Sequence, residues 1–231
     1  MRLVITGGLG HIGTGLLSKI NKLNGVKEIL IIDNLSSNKL HVLFDFKSRI
    51  PIKFIESDLL SSDLTKILKT KDIIIHLAAI TNAAESFKIK KKIFDNNFLT
   101  TKKIVDIANK KKLKCIFFSS TSVYGSGDSI MYEDDDKNLN PQSPYADCKI
   151  KEENYILEER KKKKLQTIIL RLGTIFGPSR GMRFHTAVNK FCYQAAFDRP
   201  LTIWKTAYNQ KRPYLDLNDA IKCIHFIIKK D

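Results

Sequence analysis

The amino-acid sequence predicts a doubly wound α/β fold built on a parallel sheet. Six short runs rich in Ile, Leu, Val and Phe alternate with helix-length segments along about the first 170 residues, as expected when crossover helices join parallel strands. The runs are almost continuously hydrophobic, which is typical of strands covered on both faces. A glycine-rich turn, Thr6–Gly13, directly follows the first run and favours the same class.

The predicted strands are Arg2–Thr6, Glu28–Ile32, Ile52–Ile55, Asp72–Leu77, Lys114–Ser119 and Gln166–Leu170. The helices predicted between them are Ile12–Leu23, Ser61–Leu68, Asp95–Lys111 and Ser143–Lys163. The polar stretch Tyr124–Pro141 is too long for a routine loop and indicates a lid or substrate loop.

After Gly173 the pattern becomes less regular. It predicts a helix near Arg183–Ala196, a short strand Leu201–Trp204 and a last helix near Leu217–Lys230. We therefore expect a main domain over residues 1–172 and a partial C-terminal lobe over residues 173–231.

The composition is that of a globular protein, with 43% hydrophobic residues. The sequence has no apolar stretch near the roughly 20 residues that a membrane span needs. The N-terminus runs straight into a strand without the features of a signal peptide, so we expect a cytoplasmic location. The four cysteines are widely spaced, which favours buried thiols over a metal site or a disulfide.

The formal charge of +16 raises the question of nucleic-acid binding. Lys outnumbers Arg by 32 to 8, however, and the Lys residues form short runs that are typical of solvated helix ends. Groove recognition and single-strand binding favour Arg and interleaved aromatic residues. We therefore expect no nucleic-acid partner, but a positive field that attracts anionic substrates.

The glycine turn has the spacing of a dinucleotide-binding site. Gly7 permits a tight turn, Gly10 lets backbone N–H groups approach a pyrophosphate, and Gly13 allows close packing of helix and strand. The helix N-terminus presents partial positive charge to the phosphates. A lone glycine pattern would fit a mere turn equally well, but its place between strand and helix predicts a Rossmann-type domain.

An acidic residue at the end of the second strand identifies the expected cofactor. Asp33 stands 20 residues after Gly13, where a carboxylate can bind the adenosine ribose hydroxyls and repel a 2′-phosphate. NAD is therefore favoured over NADP. Two alternatives stay open. Asp33 and Asn34 could simply form a turn, and Lys39 could bind the 2′-phosphate of NADP.

A tyrosine and a lysine four residues apart form a candidate catalytic pair. Tyr145 and Lys149 would share one helix face, with Ser143 as the cap and Pro144 at the first helical position. An ammonium beside the phenol would lower the phenol's pKa and make Tyr145 a credible general acid and base. The spacing alone also arises by chance in many helices.

A second group of hydroxyls supports this pair. The segment Ser119–Gly125 follows the fifth strand, and the carboxyl ends of strands are where open α/β sheets bind ligands. A serine there could donate a hydrogen bond to the reacting oxygen. The alternative is a loop whose hydroxyls only stabilise its own turn.

Together these motifs resemble the extended short-chain dehydrogenase/reductases, specifically the NAD-dependent epimerase/dehydratase family, and are similar to UDP-glucose 4-epimerases. The resemblance covers essentially the whole chain, and its motifs occur in the family's order. They are Thr6-Gly7-Gly8-Leu9-Gly10-His11-Ile12-Gly13, Asp33-Asn34-Leu35, Asp58-Leu59, His76-Leu77-Ala78-Ala79, Ser119-Ser120-Thr121-Ser122-Val123-Tyr124-Gly125, Tyr145-Ala146-Asp147-Cys148-Lys149, Arg171-Leu172-Gly173-Thr174-Ile175-Phe176-Gly177-Pro178 and Arg212-Pro213-Tyr214-Leu215-Asp216.

The resemblance implies a role for each matched position. Ser120, Tyr145 and Lys149 match the catalytic residues, and Lys149 also binds the nicotinamide ribose. Thr174 and Arg212 match substrate-binding positions, with Arg212 on the diphosphate of a sugar nucleotide. The remaining cofactor-binding positions implied are Gly7, Gly10, His11, Ile12, Gly13, Asp33, Asn34, Asp58, Leu59, Leu77, Ala78, Ala79 and Asn97.

Three departures from the family pattern bear on the substrate. Thr174 stands where the family usually has Asn, and Pro213 and Asp216 alter the stretch around Arg212. Thr121 and Ser122 replace the Asp-Glu pair of sugar-nucleotide dehydratases, which disfavours dehydration. The chain also stops earlier than family members usually do, so we expect a C-terminal truncation and a partial substrate-binding lobe.

The resemblance therefore implies an NAD-dependent nucleotide-sugar 4-epimerase that acts on a UDP- or dTDP-hexose, forms a homodimer, and has no metal. Two alternatives remain: a nucleotide-sugar reductase or dehydrogenase of the same family, and a non-catalytic NAD-binding protein or inactive fragment.

Overall fold

The computed structural model describes residues 1–44, 46–125, 130–134, 136–203, 205 and 208–230. The main sheet is formed by strands β1 (Arg2–Thr6), β2 (Glu28–Asp33), β3 (Ile52–Glu56), β4 (Asp72–His76), β5 (Lys114–Ser120) and β6 (Thr167–Leu172). They pair in parallel in the order β3-β2-β1-β4-β5-β6. The doubly wound fold class is confirmed, and each of these six strands ends within two residues of its predicted bounds.

Helices cover both faces of the sheet. They are α1 (His11–Ser18), α2 (Leu64–Ile67), α3 (Lys90–Ile93), α4 (Leu99–Lys111) and α5 (Pro144–Lys163). Helix α5 begins as the sequence predicts, because the Ser143 hydroxyl accepts a hydrogen bond from the Ala146 amide and Pro144 takes the first turn.

Three of the four helices predicted between the main strands have different bounds. The first ends at Ser18, and a short 3₁₀ turn, Ile20–Lys22, follows it. The second is only Leu64–Ile67, because Asp63 caps it and shortens the predicted segment from its N-terminal side. The third begins earlier, since α3 continues through a π-helical turn, Phe94–Phe98, into α4.

The C-terminal part contains a small parallel pair, β7 (Thr174–Phe176) and β8 (Tyr214–Asp216), that the sequence did not indicate. It also contains helices α6 (Ala187–Ala196) and α7 (Leu217–Lys229). The expected strand Leu201–Trp204 is wrong over residues 201–203, which form no strand, and Trp204 lies outside the described residues. Within the expected lid or substrate loop, Tyr124–Pro141, residues 126–129 and 135 also lie outside the described residues.

Two hydrophobic cores lie on opposite faces of the main sheet. One packs α4 and α5 against the sheet, with buried residues such as Ile104 and Ile156. The other packs α1 and α7 against it, so that Ile224 of the C-terminal region shares a core with Leu3 of β1. Gly15 makes this possible, because a Cβ there would lie 2.8 Å from Leu217 Cδ2. The division of the chain at residue 172 stays a prediction.

The expectation that all four thiols are buried is wrong for two of them. Cys115 and Cys148 are buried, but Cys192 on α6 and Cys223 on α7 are exposed. These two helices turn one face to solvent, and spacing in the sequence did not reveal which face. In the described part of the chain, no helix is both long and apolar enough to cross a membrane.

The shared core predicts that α7 contributes directly to the stability of the sheet. Ile224→Ala should lower the free energy of unfolding by about 2–5 kcal/mol, because Ile224 is fully buried. The matched control is Phe226→Ala on the exposed face of the same helix, expected to change stability by no more than about 0.5 kcal/mol. Urea unfolding followed by circular dichroism measures both, and equal effects would contradict the shared core.

Candidate functional site

The predicted site residues gather at the carboxyl edge of the main sheet, because parallel strands all end there. The glycine turn follows β1, Asp33 ends β2, and Asp58 lies two residues after β3. The segment Leu77–Ala79 follows β4, and Ser120 ends β5. The sheet order places β1 beside β4, so the glycine turn and Leu77–Ala79 are direct neighbours.

The glycine turn lies so close to its neighbours that larger residues would collide. Gly7 has a φ of +66°, and a Cβ there would lie 2.6 Å from the Ala78 Cα. A Cβ on Gly13 would lie 2.3 Å from the Gly8 carbonyl oxygen. Gly10 caps α1 without a side-chain hydrogen bond to the helix. The first-turn amides, including those of His11 and Ile12, therefore lack a side-chain cap, which fits a dinucleotide pyrophosphate.

The acidic residues expected at the adenosine end lie together. The Asp33 carboxylate accepts hydrogen bonds from the Leu9 amide at 3.2 Å and the Leu35 amide at 3.0 Å, so it joins the end of β2 to the glycine turn. The Asn34 amide donates to the Asp58 carboxylate at 3.2 Å. Leu59 is buried beside Asp58.

A segment that the sequence did not indicate packs against the glycine turn. His11 Nε2 lies 2.7 Å from the Gly177 carbonyl oxygen, so its side chain is engaged by this segment, Gly177–Arg183. The Gly181 amide donates to Thr14 Oγ1 at 2.9 Å, and Lys39 Nζ donates to the Gly181 carbonyl at 2.8 Å. Lys39, the alternative ligand for a 2′-phosphate, is therefore already hydrogen-bonded.

Asn97 holds the segment after β4 in place. Its side-chain oxygen accepts from the Ile80 amide at 2.8 Å, and its side-chain nitrogen donates to the Ile80 carbonyl at 2.9 Å. Asn97 is buried in the π-helical turn. Its side-chain amide supplies the hydrogen bonds that the backbone of Ile80, a loop residue, would otherwise make with a neighbouring strand. The half-buried residues Leu77, Ala78 and Ala79 are thus fixed between β4 and this clamp.

The structure brings the candidate catalytic elements together. Ser120 caps the short turn Thr121–Tyr124, and its hydroxyl accepts from the Ser122 amide at 3.1 Å. Helix α5 packs against this turn and carries Tyr145 and Lys149, both buried. Lys149 Nζ lies 5.9 Å from the centre of the Tyr145 ring.

The pKa of Tyr145 is raised, not lowered, in this structure. Burial raises it most, the Lys149 ammonium opposes that rise, and the Glu152 carboxylate adds to it. The Arg183 guanidinium, from the segment before α6, also lowers it. The sequence pattern identified Lys149, but not the burial or the carboxylate beside it.

Glu152 belongs to a buried polar network that sequence reasoning missed. Its carboxylate accepts from Lys149 Nζ at 2.9 Å and from Thr101 Oγ1 at 3.0 Å. Thr101 Oγ1 lies 3.3 Å from His76 Nε2, and His76 Nδ1 lies 2.7 Å from Thr6 Oγ1. Burial and the Lys149 charge lower the pKa of His76 to about 3, so this imidazole stays neutral.

Glu153, the next residue of α5, serves a different purpose. Its carboxylate accepts from Arg171 Nη2 at 2.6 Å, and Arg171 also donates to the Tyr124 hydroxyl at 2.7 Å. This ion pair joins α5, β6 and the turn after Ser120.

Of the two predicted substrate residues, Thr174 lies in the small C-terminal pair of strands, and Arg212 lies two residues before β8. Thr174 begins β7, and its amide donates to the Pro213 carbonyl at 2.9 Å. Arg212 is exposed, and its guanidinium donates to Gln210 at 3.1 Å. Within the described residues, Arg212 makes no hydrogen bond with Ser120, Tyr145 or Lys149. The half-buried Arg183, which donates to Thr81 Oγ1 and influences Tyr145, is the cation that the sequence did not reveal.

Comparison with known proteins agrees with this geometry. The model of the "NAD dependent epimerase/dehydratase family" matches residues 3–231. The dTDP-D-glucose 4,6-dehydratase of Dictyostelium discoideum is 31% identical over 99% of this chain, which spans 56% of that protein's length. The ADP-L-glycero-D-manno-heptose-6-epimerase of Brachyspira hyodysenteriae is 28% identical, and this chain spans 72% of it.

Solved structures show the same fold. The UDP-N-acetylglucosamine 4-epimerase from Methanobrevibacter ruminantium, in complex with UDP-N-acetylmuramic acid, has a TM-score of 0.84 and 30% identity and covers 96% of this chain and 70% of its own. The UDP-glucuronic acid 4-epimerase from Bacillus cereus, in complex with UDP-glucuronic acid and NAD, has a TM-score of 0.85 and 29% identity, with coverages of 96% and 71%.

Substitutions at Gly13 and at Gly10 should produce two separable defects. Gly13→Ala should destabilise the fold, because its Cβ would overlap the Gly8 backbone. Gly10→Ala should fold normally, since its Cβ would meet only the Gly7 oxygen at 3.3 Å, but should weaken NAD binding at least about tenfold by obstructing the pyrophosphate. Thermal unfolding and calorimetric NAD titration measure the two effects. A Gly10→Ala variant with unchanged NAD affinity would place the cofactor elsewhere.

Proposed function

This chain belongs to the NAD-dependent epimerase/dehydratase family, and we propose that it interconverts the C4 epimers of a nucleotide-activated hexose. The observation that carries the proposal is the buried Tyr145–Lys149 pair on α5, packed against the turn that Ser120 begins. The family's cofactor is NAD, and the glycine turn with its uncapped amides fits such a dinucleotide.

Each member of the catalytic group has a distinct task in this proposal. The Tyr145 oxygen takes the proton of the C4 hydroxyl and returns it later to the reformed hydroxyl. Ser120 donates a hydrogen bond to the reacting oxygen, and Lys149 binds the nicotinamide ribose and stabilises the phenolate. NAD, when bound, would supply a hydride acceptor that can give the hydride back to the opposite face of C4. Because the hydride returns, the reaction has no net redox change.

The turn after Ser120 favours epimerisation over dehydration. Elimination of water needs an acid and a base beyond the tyrosine, and dehydratases carry a carboxylate pair just after the Ser/Thr. Here those positions are Thr121 and Ser122. These hydroxyl residues supply no carboxylate for such an elimination, which supports epimerisation.

Positive charge supports an anionic, nucleotide-activated substrate. The chain carries a formal charge of +16, and the half-buried Arg183 acts electrostatically on Tyr145. Arg212 presents an exposed planar guanidinium that suits a diphosphate. We therefore extend the proposal to a UDP- or dTDP-hexose, with residues 173–231 as a partial substrate-binding lobe.

The proposal includes a homodimer in the cytoplasm. Helices α4 and α5 pack side by side through Tyr155, whose hydroxyl donates to the Asp106 carboxylate. They leave Leu99 and Leu157 partly exposed, which supports pairing of two copies through this face. Sedimentation equilibrium distinguishes a monomer from a dimer.

Loss of the Tyr145 hydroxyl should abolish turnover without affecting cofactor binding. In a panel of UDP- and dTDP-hexoses supplied with NAD, Tyr145→Phe should lower C4 interconversion by at least about 100-fold, because proton transfer typically contributes that much. Chromatographic separation of the two epimers measures the rate, and calorimetry measures NAD affinity. Tyr155→Phe, ten residues further along the same helix, is the matched control.

The same assay separates the competing functions. Stoichiometric release or consumption of NADH would identify a reductase or dehydrogenase instead. Retained NAD binding with no product across the panel would identify a non-catalytic NAD-binding protein.

Asp33 should determine the choice between NAD and NADP. Asp33→Asn keeps a side-chain oxygen for the Leu9 or Leu35 amide but removes the charge that repels a 2′-phosphate. We expect the preference for NAD over NADP to narrow by about tenfold, or ~1.4 kcal/mol. Calorimetric titration with both dinucleotides measures this ratio, and an unchanged ratio would point to Lys39 or another residue.

A further inference from the structure

Glu152 is a buried carboxylate that the proposed reaction does not use. It is 5% exposed, and it lies one turn after Lys149 on the side of α5 that faces α4. Carboxylates are almost never fully buried unless they are paired. Its position beside a catalytic lysine therefore needs a physical explanation.

The hydrogen bonds around Glu152 define where the protons lie. Lys149 and Thr101 both donate to Glu152 Oε2, so the Thr101 oxygen is left to accept from His76 Nε2–H. His76 Nδ1 then carries no proton and accepts from the Thr6 hydroxyl. This series of hydrogen bonds runs from β1 through β4 and α4 to α5.

This network holds the Lys149 ammonium in one place. An ammonium has three N–H donors, and Glu152 is the one hydrogen-bond partner of Lys149 among the described residues. One donor is therefore fixed toward α4, and two remain for other acceptors. The nicotinamide ribose has two neighbouring hydroxyls, and each could accept one of these two hydrogen bonds.

The carboxylate also offsets the charge of the lysine. Burial alone lowers the pKa of Lys149, but Glu152, together with Tyr145 and Cys148, raises it above its ordinary value and keeps the side chain an ammonium. At the same time Glu152 opposes the influence of Lys149 on the phenol of Tyr145. The pair therefore presents less positive charge to Tyr145 than a free ammonium would.

The other charged and titratable groups around this pair are few. His76 from β4 is neutral, and Cys148 on α5 is a thiol whose pKa burial raises to about 12. Arg183, from the segment before α6, is the further cation that acts on Tyr145. Arg171 on β6 is paired with Glu153. The one carboxylate that contacts Lys149 is thus Glu152, within the described part of the chain.

We propose that Glu152 is a positioning residue that acts through Lys149: it keeps the ammonium charged and oriented, and it sets the pH range in which Tyr145 and Lys149 hold their working protonation states. The inference rests on the proposed function, because it takes Tyr145 and Lys149 as the catalytic pair. Removal of a negative charge favours loss of a proton from each neighbour. Both members of the coupled pair should then titrate at lower pH.

Glu152→Gln tests this inference, since the amide keeps the size of the side chain and an acceptor for Thr101. The titration of Tyr145 is measured in NAD-loaded protein labelled with 3-fluorotyrosine, by ¹⁹F NMR. Tyr145→Phe in each background assigns the resonance. We expect the midpoint of the Tyr145 titration to lie about one pH unit lower in E152Q than in the wild-type chain. With a substrate in hand, both limbs of the pH–rate profile should move to lower pH.

The matched control is Glu159→Gln, two turns further along the same helix face. Glu159 is also buried, and it accepts from Asn109 on α4 as Glu152 accepts from Thr101. It does not contact Lys149. E159Q should therefore leave the Tyr145 midpoint where it is in the wild-type chain, even if both variants unfold at lower temperature.

The outcomes separate this inference from the proposed function. A Tyr145 midpoint that is the same in E152Q and the wild-type chain would overturn the role of Glu152, whether or not any sugar nucleotide is turned over. An equal fall in E152Q and E159Q would also overturn it, because the effect would then be general. A fall in E152Q alone supports it, even if the substrate panel shows no epimerisation.

Discussion

The rest of the site depends on one constraint. The two backbone segments that follow β1 and β4 approach each other closely. Gly7 turns with a positive φ, and its Cα hydrogen faces Ala78 at a distance that leaves no room for a Cβ. The two strands are neighbours in the sheet although β2 and β3 lie between them along the chain. Since both segments leave the sheet at its carboxyl edge, the glycine turn and the segment after β4 form one continuous surface to which a ligand can bind.

The buried polar network strengthens this same junction. Thr6 precedes Gly7, and His76 precedes Leu77, so the hydrogen bond between Thr6 and His76 joins the last residues of the two strands. Thr101 and Glu152 continue the connection to α4 and α5. A displacement at the glycine turn would therefore change the position of Lys149, because this series of buried hydrogen bonds connects the two.

Much of this arrangement could be predicted from the sequence, because it depends on local pattern and on the topology of parallel sheets. The strand bounds, the glycine turn, Asp33 and the Tyr145–Lys149 spacing all express short-range rules. Glu152 was missed because the pattern identifies it only as one more acidic residue on a charged helix, and its burial depends on Thr101, 51 positions away. The segment Gly177–Arg183 was missed because it has no periodicity, and only the fold places it against the glycine turn.

The segment Gly177–Arg183 contacts the glycine turn and also acts electrostatically on the candidate catalytic Tyr145. His11 and Lys39 hold it at Gly177 and Gly181, beside the glycine turn, and two residues later Arg183 reaches toward Tyr145. Because Glu152 offsets the charge of Lys149, Arg183 is the cation near the phenol whose charge no carboxylate in the described chain neutralises through an ion pair. The protonation of Tyr145 therefore depends on how this segment lies against the turn that is expected to bind the cofactor. Burial of the phenol raises its pKa, and two cations from different elements, only one of them paired, act against that rise.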